Sequence, residues 1–169
     1  TKSMLELAMI NANNGKYTKA IEYYKNIIEG MPLSPEVPNA ISGMESVYQT
    51  LNKPEEYLAY LETLGMSDIK SADEKELMLF NAAEHRYLSG NYNSAITSLQ
   101  SFVKNYPSGS KTAQAYFYLA ESLKAKGRKE AASDAYFKVI KLGEGPFAEA
   151  ATLNYADISY ELEHYSTAV

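Results

Sequence analysis

Apolar side chains recur along the chain every three to four residues, which is the spacing of one face of an α-helix. One such set consists of Ile21, Tyr24, Ile27 and Ile28, and a second consists of Ile96, Leu99, Phe102 and Val103. No stretch keeps the alternation of apolar and polar residues that is typical of a half-buried strand. The pattern therefore predicts an all-α fold.

A short turn signal divides this helical pattern into similar units. The signal is Gly15, Tyr17 and Ala20 in the first unit, and related residues place further turns at positions 52, 90, 127 and 163. Successive turns are 36 to 38 residues apart, so one pair of short helices is repeated. We predict helical hairpins over about 1–34, 38–71, 76–109, 113–146 and 149–169 within a single domain, 1–169. The last hairpin is incomplete, and we interpret the chain as a fragment.

The residues around these turns carry a family resemblance. Residues 15–32 resemble the second half of a tetratricopeptide repeat. The matching residues in the first, third and fourth units are Gly15, Tyr17, Ala20, Tyr24 and Pro32; Gly90, Tyr92, Ala95, Leu99, Phe102 and Pro107; and Tyr116, Leu119, Ala120, Gly127, Ala132, Tyr136 and Val139. The resemblance covers essentially the whole chain. It implies a right-handed superhelical solenoid of antiparallel helix pairs that acts as a non-catalytic scaffold for binding another protein.

Small residues recur where the two helices of such a repeat cross closely, since large side chains do not fit there. They are Ala8, Ala83, Ala120 and Ala156 on first helices and Ala20, Ala95, Ala132 and Ala168 on second helices. The second unit departs from this pattern, with Glu45 and Tyr57 at the two small positions and Pro54 in the turn. We expect a helix that starts near Lys53, because proline is tolerated in a first helical turn, and an altered crossing.

A narrower similarity appears in residues 102–108 and 115–122, which read Phe-Val-Lys-Asn-Tyr-Pro-Ser and Ala-Tyr-Phe-Tyr-Leu-Ala-Glu-Ser. These segments are similar to bacterial envelope tetratricopeptide proteins, namely the periplasmic partners of the Tol-Pal system and the outer-membrane assembly lipoproteins. The similarity implies a scaffold in the periplasm or cell envelope of a bacterium. A cytoplasmic location is the alternative.

Composition and motifs argue against several other functions. A net charge of -5 and a pI near 5.1 are not typical of nucleic-acid binding. The absence of cysteine removes thiolate chemistry and cysteine-based zinc sites, and no glycine-rich nucleotide motif is present. Of the two histidines, we predict that His85 packs on a helix face, and His164 has no metal-ligand spacing. We therefore expect no enzyme activity, cofactor, metal, nucleic-acid partner or membrane span.

The candidate site is the face of the first helices that lines the concave groove in this family. Two rows of residues fall on it: Leu5, Ser42, Phe80, Phe117 and Leu153, then Met9, Ser46, Glu84, Glu121 and Asp157. The partner-binding residues that we predict are Leu5, Met9, Leu77, Phe80, Glu84, Tyr87, Phe117, Glu121, Lys124, Leu153, Asp157 and Tyr160. We expect them to be at least partly exposed. The aromatic and acidic members together predict an apolar and basic partner segment.

Two further expectations concern the C-terminal end and an alternative function. Leu153, Tyr155 and Ile158 lack the cover of a following helix in this interpretation, which predicts self-association through the C-terminal end. The alternative function is a structural or substrate-positioning repeat arm of a larger multidomain protein. That protein could be an enzyme whose catalytic domain lies outside this chain.

Overall fold

The computed structural model describes residues 1–143 and 145–167, apart from the side chains of 164–167. Within these ranges the chain forms helices and a 3₁₀ turn, Ser67–Ile69, and contains no strand, which confirms the all-α prediction. The helices are α1 (Lys2–Asn13), α2 (Tyr17–Gly30), α3 (Val37–Thr50), α4 (Pro54–Thr63), α5 (Ala72–Leu88), α6 (Tyr92–Asn105), α7 (Thr112–Ala125), α8 (Lys129–Leu142) and α9 (Pro146–Thr167). They form two compact units, Thr1–Ile69 (unit 1) and Lys70–Val169 (unit 2).

Each unit contains helical hairpins. The two helices of a hairpin contact each other and are joined by only three residues, so they run antiparallel. In unit 1, α1 pairs with α2, α3 pairs with α4, and the first helices α1 and α3 also touch. In unit 2, α5 pairs with α6 and α7 with α8, while α9 packs on both α7 and α8. Successive first helices, α1 with α3 and α5 with α7, therefore lie side by side, and a groove can form between them.

The four turns within the hairpins share one local structure. Gly15, Asn52, Gly90 and Gly127 all have a positive φ, between 55° and 72°. In each turn the next amide donates to a carbonyl five residues back, as in Lys16 N to Asn11 O at 2.8 Å. This is the Schellman motif, which requires a left-handed residue and so selects glycine or asparagine. The predicted turns at 15, 52, 90 and 127 are confirmed.

The fifth predicted turn, at Glu163, is wrong. Helix α9 runs without interruption through this position to Thr167. Glutamate does not readily adopt the left-handed conformation that ends the other first helices, and neither glycine nor proline follows it. Ala156, which we expected to meet a second helix, is exposed as a result. Its expected partner, Ala168, lies outside the described residues.

The small positions of the regular hairpins behave as expected. The three pairs Ala8 and Ala20, Ala83 and Ala95, and Ala120 and Ala132 are fully buried between helices that pack together. In the irregular second hairpin Tyr57 is also fully buried, and its hydroxyl donates to Glu45 Oε2 at 3.4 Å. The two oversized residues are thus paired with each other. Pro54 is the first residue of α4 and Lys53 is its N-cap, which confirms the predicted helix start.

Unit 2 begins with a capping box that sets the start of α5. The Ser71 hydroxyl accepts from the Glu74 amide, and Glu74 Oε2 accepts from the Ser71 amide at 2.8 Å. Helix α5 therefore begins at Ala72, ahead of the repeat boundary at 76. His85, predicted to be packed, is exposed. The residues at the equivalent position of α3, α7 and α9, namely Val47, Ser122 and Ile158, are buried.

The C-terminal end of unit 2 is better covered than the sequence indicates. Ile158 lies in the core of the unit, and Tyr155 stacks on Phe137 of α8 with ring centroids 5.6 Å apart. The expected lack of cover is therefore wrong for these two residues, since α9 packs them against α7 and α8. Only Leu153 of this set is exposed.

Candidate partner-binding groove

An open groove with a volume of about 730 Å³ lies in unit 1 between the first helices α1 and α3. Residues of α2 form part of its floor. The side chains and backbone that line it are Leu5, Met9, Ala12, Asn13, Tyr17, Tyr24, Asn39, Ser42, Gly43, Ser46, Val47 and Thr50. The volume falls within the roughly 300–1,000 Å³ range of sites that enclose a ligand or a few anchoring side chains.

The members of both predicted rows that belong to unit 1 line this groove. Leu5 and Met9 of α1 face Ser42 and Ser46 of α3 across it. Met9 is half exposed at the rim, while Leu5 is only 9% exposed and forms part of the floor. Residues four apart on a helix lie above one another on one side, so Leu5 and Met9 share one face of α1, and Ser42 and Ser46 share one face of α3.

The floor of the groove contains a close approach that the sequence analysis missed. A Cβ atom built on Gly43 would lie 2.5 Å from both Cζ and Oη of Tyr24. Only a residue without a side chain leaves room for the tyrosine ring against α3. The available signal was the glycine itself, because an isolated glycine inside a helical pattern often marks a close approach.

Tyr24 presents its hydroxyl to the groove. The residue is only 2% exposed, and its hydroxyl forms no hydrogen bond with any described residue. In the described part of the chain, every fully buried polar side-chain atom has a hydrogen-bond partner. The Tyr24 hydroxyl oxygen has none, so it belongs to the small exposed fraction of this residue. Burial raises the pKa of the Tyr24 hydroxyl, so it remains a neutral donor at physiological pH.

The groove is electrically neutral. None of the twelve described residues that line it has a charged side chain. Glu45, on the same helix as Ser42 and Ser46, accepts the Tyr57 hydroxyl within the second hairpin and does not line the groove. The chain as a whole has a net charge of -5, and we expected an acidic row along the first helices, but the groove of unit 1 carries no charge.

In unit 2 the corresponding row is closed by its own side chains. Phe80 is only 2% exposed and packs between Phe102 and Tyr118, with ring centroids 5.6 and 6.3 Å away. Lys111 Nζ lies 5.5 Å from the centroid of the Phe80 ring. The prediction that Phe80 is at least partly exposed is wrong, because residues from α6 and α7 cover it.

Two members of the predicted acidic row are engaged by tyrosine hydroxyls. Glu84 Oε1 accepts from the Tyr118 hydroxyl at 3.0 Å, and Glu121 accepts from the Tyr136 hydroxyl. Burial, followed by these carboxylates, raises the pKa of both tyrosines, although the amide of Gln114 acts in the opposite sense on Tyr118. The two carboxylates belong to the predicted site, whereas their tyrosine partners, 34 and 15 residues away along the chain, do not.

The remaining predicted residues of unit 2 fall into two groups. Phe117 and Tyr87 are half-buried in the aromatic cluster, where Phe117 lies 5.3 Å from Phe147 and Tyr87 stacks 4.5 Å from Tyr118. The exposed residues are Leu77, Lys124, Leu153, Asp157 and Tyr160, and Lys124 Nζ donates to Asn154 Oδ1 at 2.6 Å. The structure thus brings predicted residues together around an open groove in unit 1 and around a filled aromatic cluster in unit 2.

Comparison with family models settles the class of the chain. Two models described as tetratricopeptide repeat match residues 2–32 and 80–149, which together make up more than half of the sequence. The chain belongs to the tetratricopeptide repeat family. The groove of unit 1 lies between α1, in the matched range 2–32, and α3, the first helix of the next hairpin, which lies outside the two matched ranges. No curated protein matches the chain.

Solved structures with tetratricopeptide-like repeats are also similar to this tetratricopeptide repeat chain. One comes from Podosopora anserina and is described as a kinesin light chain with nearly identical TPR-like repeats. It is 16% identical, with a TM-score of 0.44, over 99% of this chain and 89% of that chain. A second structure, of a point variant of that protein, is 17% identical, with a TM-score of 0.44, over 99% of this chain and 88% of that chain.

Two searches of the described residues bear on other kinds of site. No helix there combines the length and apolar character needed to cross a bilayer. No group of three or more histidine, aspartate or glutamate side chains is arranged to hold a metal ion in the same part of the chain.

Proposed function

We propose that this chain is a non-catalytic scaffold that binds a segment of a partner protein in the groove of unit 1. Tetratricopeptide repeats generally serve as protein–protein interaction scaffolds, and the family membership supports that general role here. The observation that carries the specific proposal is the open groove between α1 and α3. It offers apolar surface at Leu5, Met9 and Val47 beside hydroxyl and amide groups, a mixture typical of specific recognition sites.

Met9 is the residue that we expect to act as the main apolar contact. It stands half exposed at the rim of the groove, so a partner side chain can cover it and remove its apolar surface from water. Truncation of a central contact commonly costs about 2 kcal/mol of binding free energy. The adjacent Ile10 is a matched control, because it is equally exposed on α1 but does not line the groove.

The experiment has two steps. A photoreactive amino acid at Ser46 in the groove, with one at the exposed Ser101 of α6 as control, is used to capture the partner in the native organism. Calorimetry then compares Met9→Ala with Ile10→Ala on the captured partner. We expect capture from Ser46 alone and roughly tenfold or greater weakening by Met9→Ala alone. Equal binding by both variants would show that the partner uses another surface.

For the compartment we propose a bacterial cell envelope. The ground for this is the similarity of residues 102–108 and 115–122 to envelope tetratricopeptide proteins. Fractionation of the native organism tests it, and recovery of the protein in the cytosol alone would refute it.

A further inference from the structure

The groove of unit 1 contains a largely buried hydroxyl, with a small exposed fraction, that forms no hydrogen bond with a described residue. The Tyr24 hydroxyl reaches the floor because Gly43 leaves room for the ring, and no described residue accepts its hydrogen bond. A largely buried hydroxyl gains most from an acceptor that replaces the little water it can reach. The position therefore favours a ligand that brings an acceptor to the bottom of the groove.

The α3 wall supplies the complementary acceptors. The Ser46 hydroxyl donates to Ser42 O at 3.1 Å, and the Thr50 hydroxyl donates to Ser46 O at 2.9 Å. Because both protons are used within the helix, the oxygen lone pairs of Ser46 and Thr50 remain free to accept. The groove thus offers the Tyr24 donor on its floor and these acceptors on its wall, beside the side-chain amides of Asn13 and Asn39.

This arrangement matches the amide group and does not match an ion. An amide has both a carbonyl acceptor and an N–H donor, so it can use both kinds of group in the groove. A partner ammonium or carboxylate would lose water of hydration without meeting an opposite charge, since none of the lining residues is charged. The selectivity would therefore act against charges of both signs.

We propose that the groove of unit 1 recognises an uncharged protein segment, with one carbonyl of that segment accepting the Tyr24 hydroxyl and an apolar side chain seated beside Leu5, Met9 and Val47. The inference rests on the proposed function and names the partner chemistry for the same site. It differs from the apolar and basic partner that the acidic row of unit 2 predicts.

Selection of a random peptide display library on the 169-residue chain provides the probes. Selected peptides are synthesised with blocked termini and with a single central residue set to Asn, Lys or Asp, and their binding is measured by fluorescence anisotropy. We expect the Asn form to bind best, and both charged forms to bind roughly tenfold more weakly or worse. Preferential binding of the Lys form would overturn the inference.

Two substitutions connect the preference to the groove. Tyr24→Phe removes only the hydroxyl and should weaken the Asn peptide roughly three- to tenfold, whereas Tyr23→Phe, the neighbour outside the groove, should not. Ser46→Lys should convert the groove to prefer the Asp peptide, while Ser101→Lys on the exposed face of α6 should leave the preference unchanged. Circular dichroism confirms that each variant is folded.

The outcomes separate this inference from the proposed function. If Met9→Ala abolishes peptide binding but Tyr24→Phe and Ser46→Lys change nothing, the groove binds peptides and the uncharged chemistry is wrong. If no peptide is selected and no partner is captured through Ser46, the proposed function fails. If sedimentation shows self-association that Ser46→Lys abolishes, the occupant is a second copy and the inference is overturned.

Discussion

Gly43→Ala is expected to destabilise unit 1, although alanine favours helices more than glycine does. In the middle of α3 the change alone would stabilise the helix by roughly 0.5–1 kcal/mol. The new methyl group, however, would lie 2.5 Å from the ring carbon Cζ and from the hydroxyl oxygen of the buried Tyr24, whereas non-bonded carbon atoms prefer about 3.5–4 Å. Such overpacking typically costs about 1–3 kcal/mol. We expect a net loss of about 1–2 kcal/mol.

Gly30→Ala is the matched control for this prediction. Gly30 is also helical, at the end of α2, and a Cβ atom there would meet nothing within 4 Å. The same substitution should therefore be neutral or stabilise the fold by up to about 1 kcal/mol. Urea unfolding followed by far-ultraviolet circular dichroism measures both variants against the wild type.

A double substitution tests the physical cause. Tyr24→Leu removes the ring atoms that the new methyl group would meet, so Gly43→Ala should become neutral or stabilising in that background. If Gly43→Ala unfolds at the same or a higher urea concentration than Gly30→Ala, the ring of Tyr24 does not pack on α3. The description of the groove floor would then be wrong.

Two other predictions concern the buried aromatic side chains. Burial raises the pKa of Tyr57 above its ordinary value of 10.0, so its stabilising effect is complete below pH 10 and is lost as the pH rises above it. The urea midpoint of the wild type should fall as the pH rises above 10, and that of Tyr57→Phe should fall less steeply. An equal dependence on pH for the two proteins would contradict this prediction. Phe80→Ala should cost about 3–5 kcal/mol of unfolding free energy, whereas Leu77→Ala, exposed on the same helix, should change it by less than about 0.5 kcal/mol. Similar urea midpoints for the two would refute the burial of Phe80.

The rows of first-helix residues show what helical periodicity predicts about a surface. Periodicity fixes which residues share a face, and Leu5, Met9, Ser42 and Ser46 line one groove. Periodicity does not say what lies above that face. Phe80 occupies the same phase as Leu5 and Ser42, but side chains from α6 and α7 cover it.

The sequence by itself determined the all-helical fold and the four turns within the hairpins, because each depends on a few neighbouring residues. Gly15 and Asn52, for example, end their helices through a local backbone conformation that few residues adopt. Only the tertiary structure decided which faces stay open. The contact of Gly43 with Tyr24 joins two helices, and so do the bonds from tyrosine hydroxyls to Glu84 and Glu121. Such contacts depend on how helices pack, and packing brings together residues whose separation along the chain carries no periodic signal.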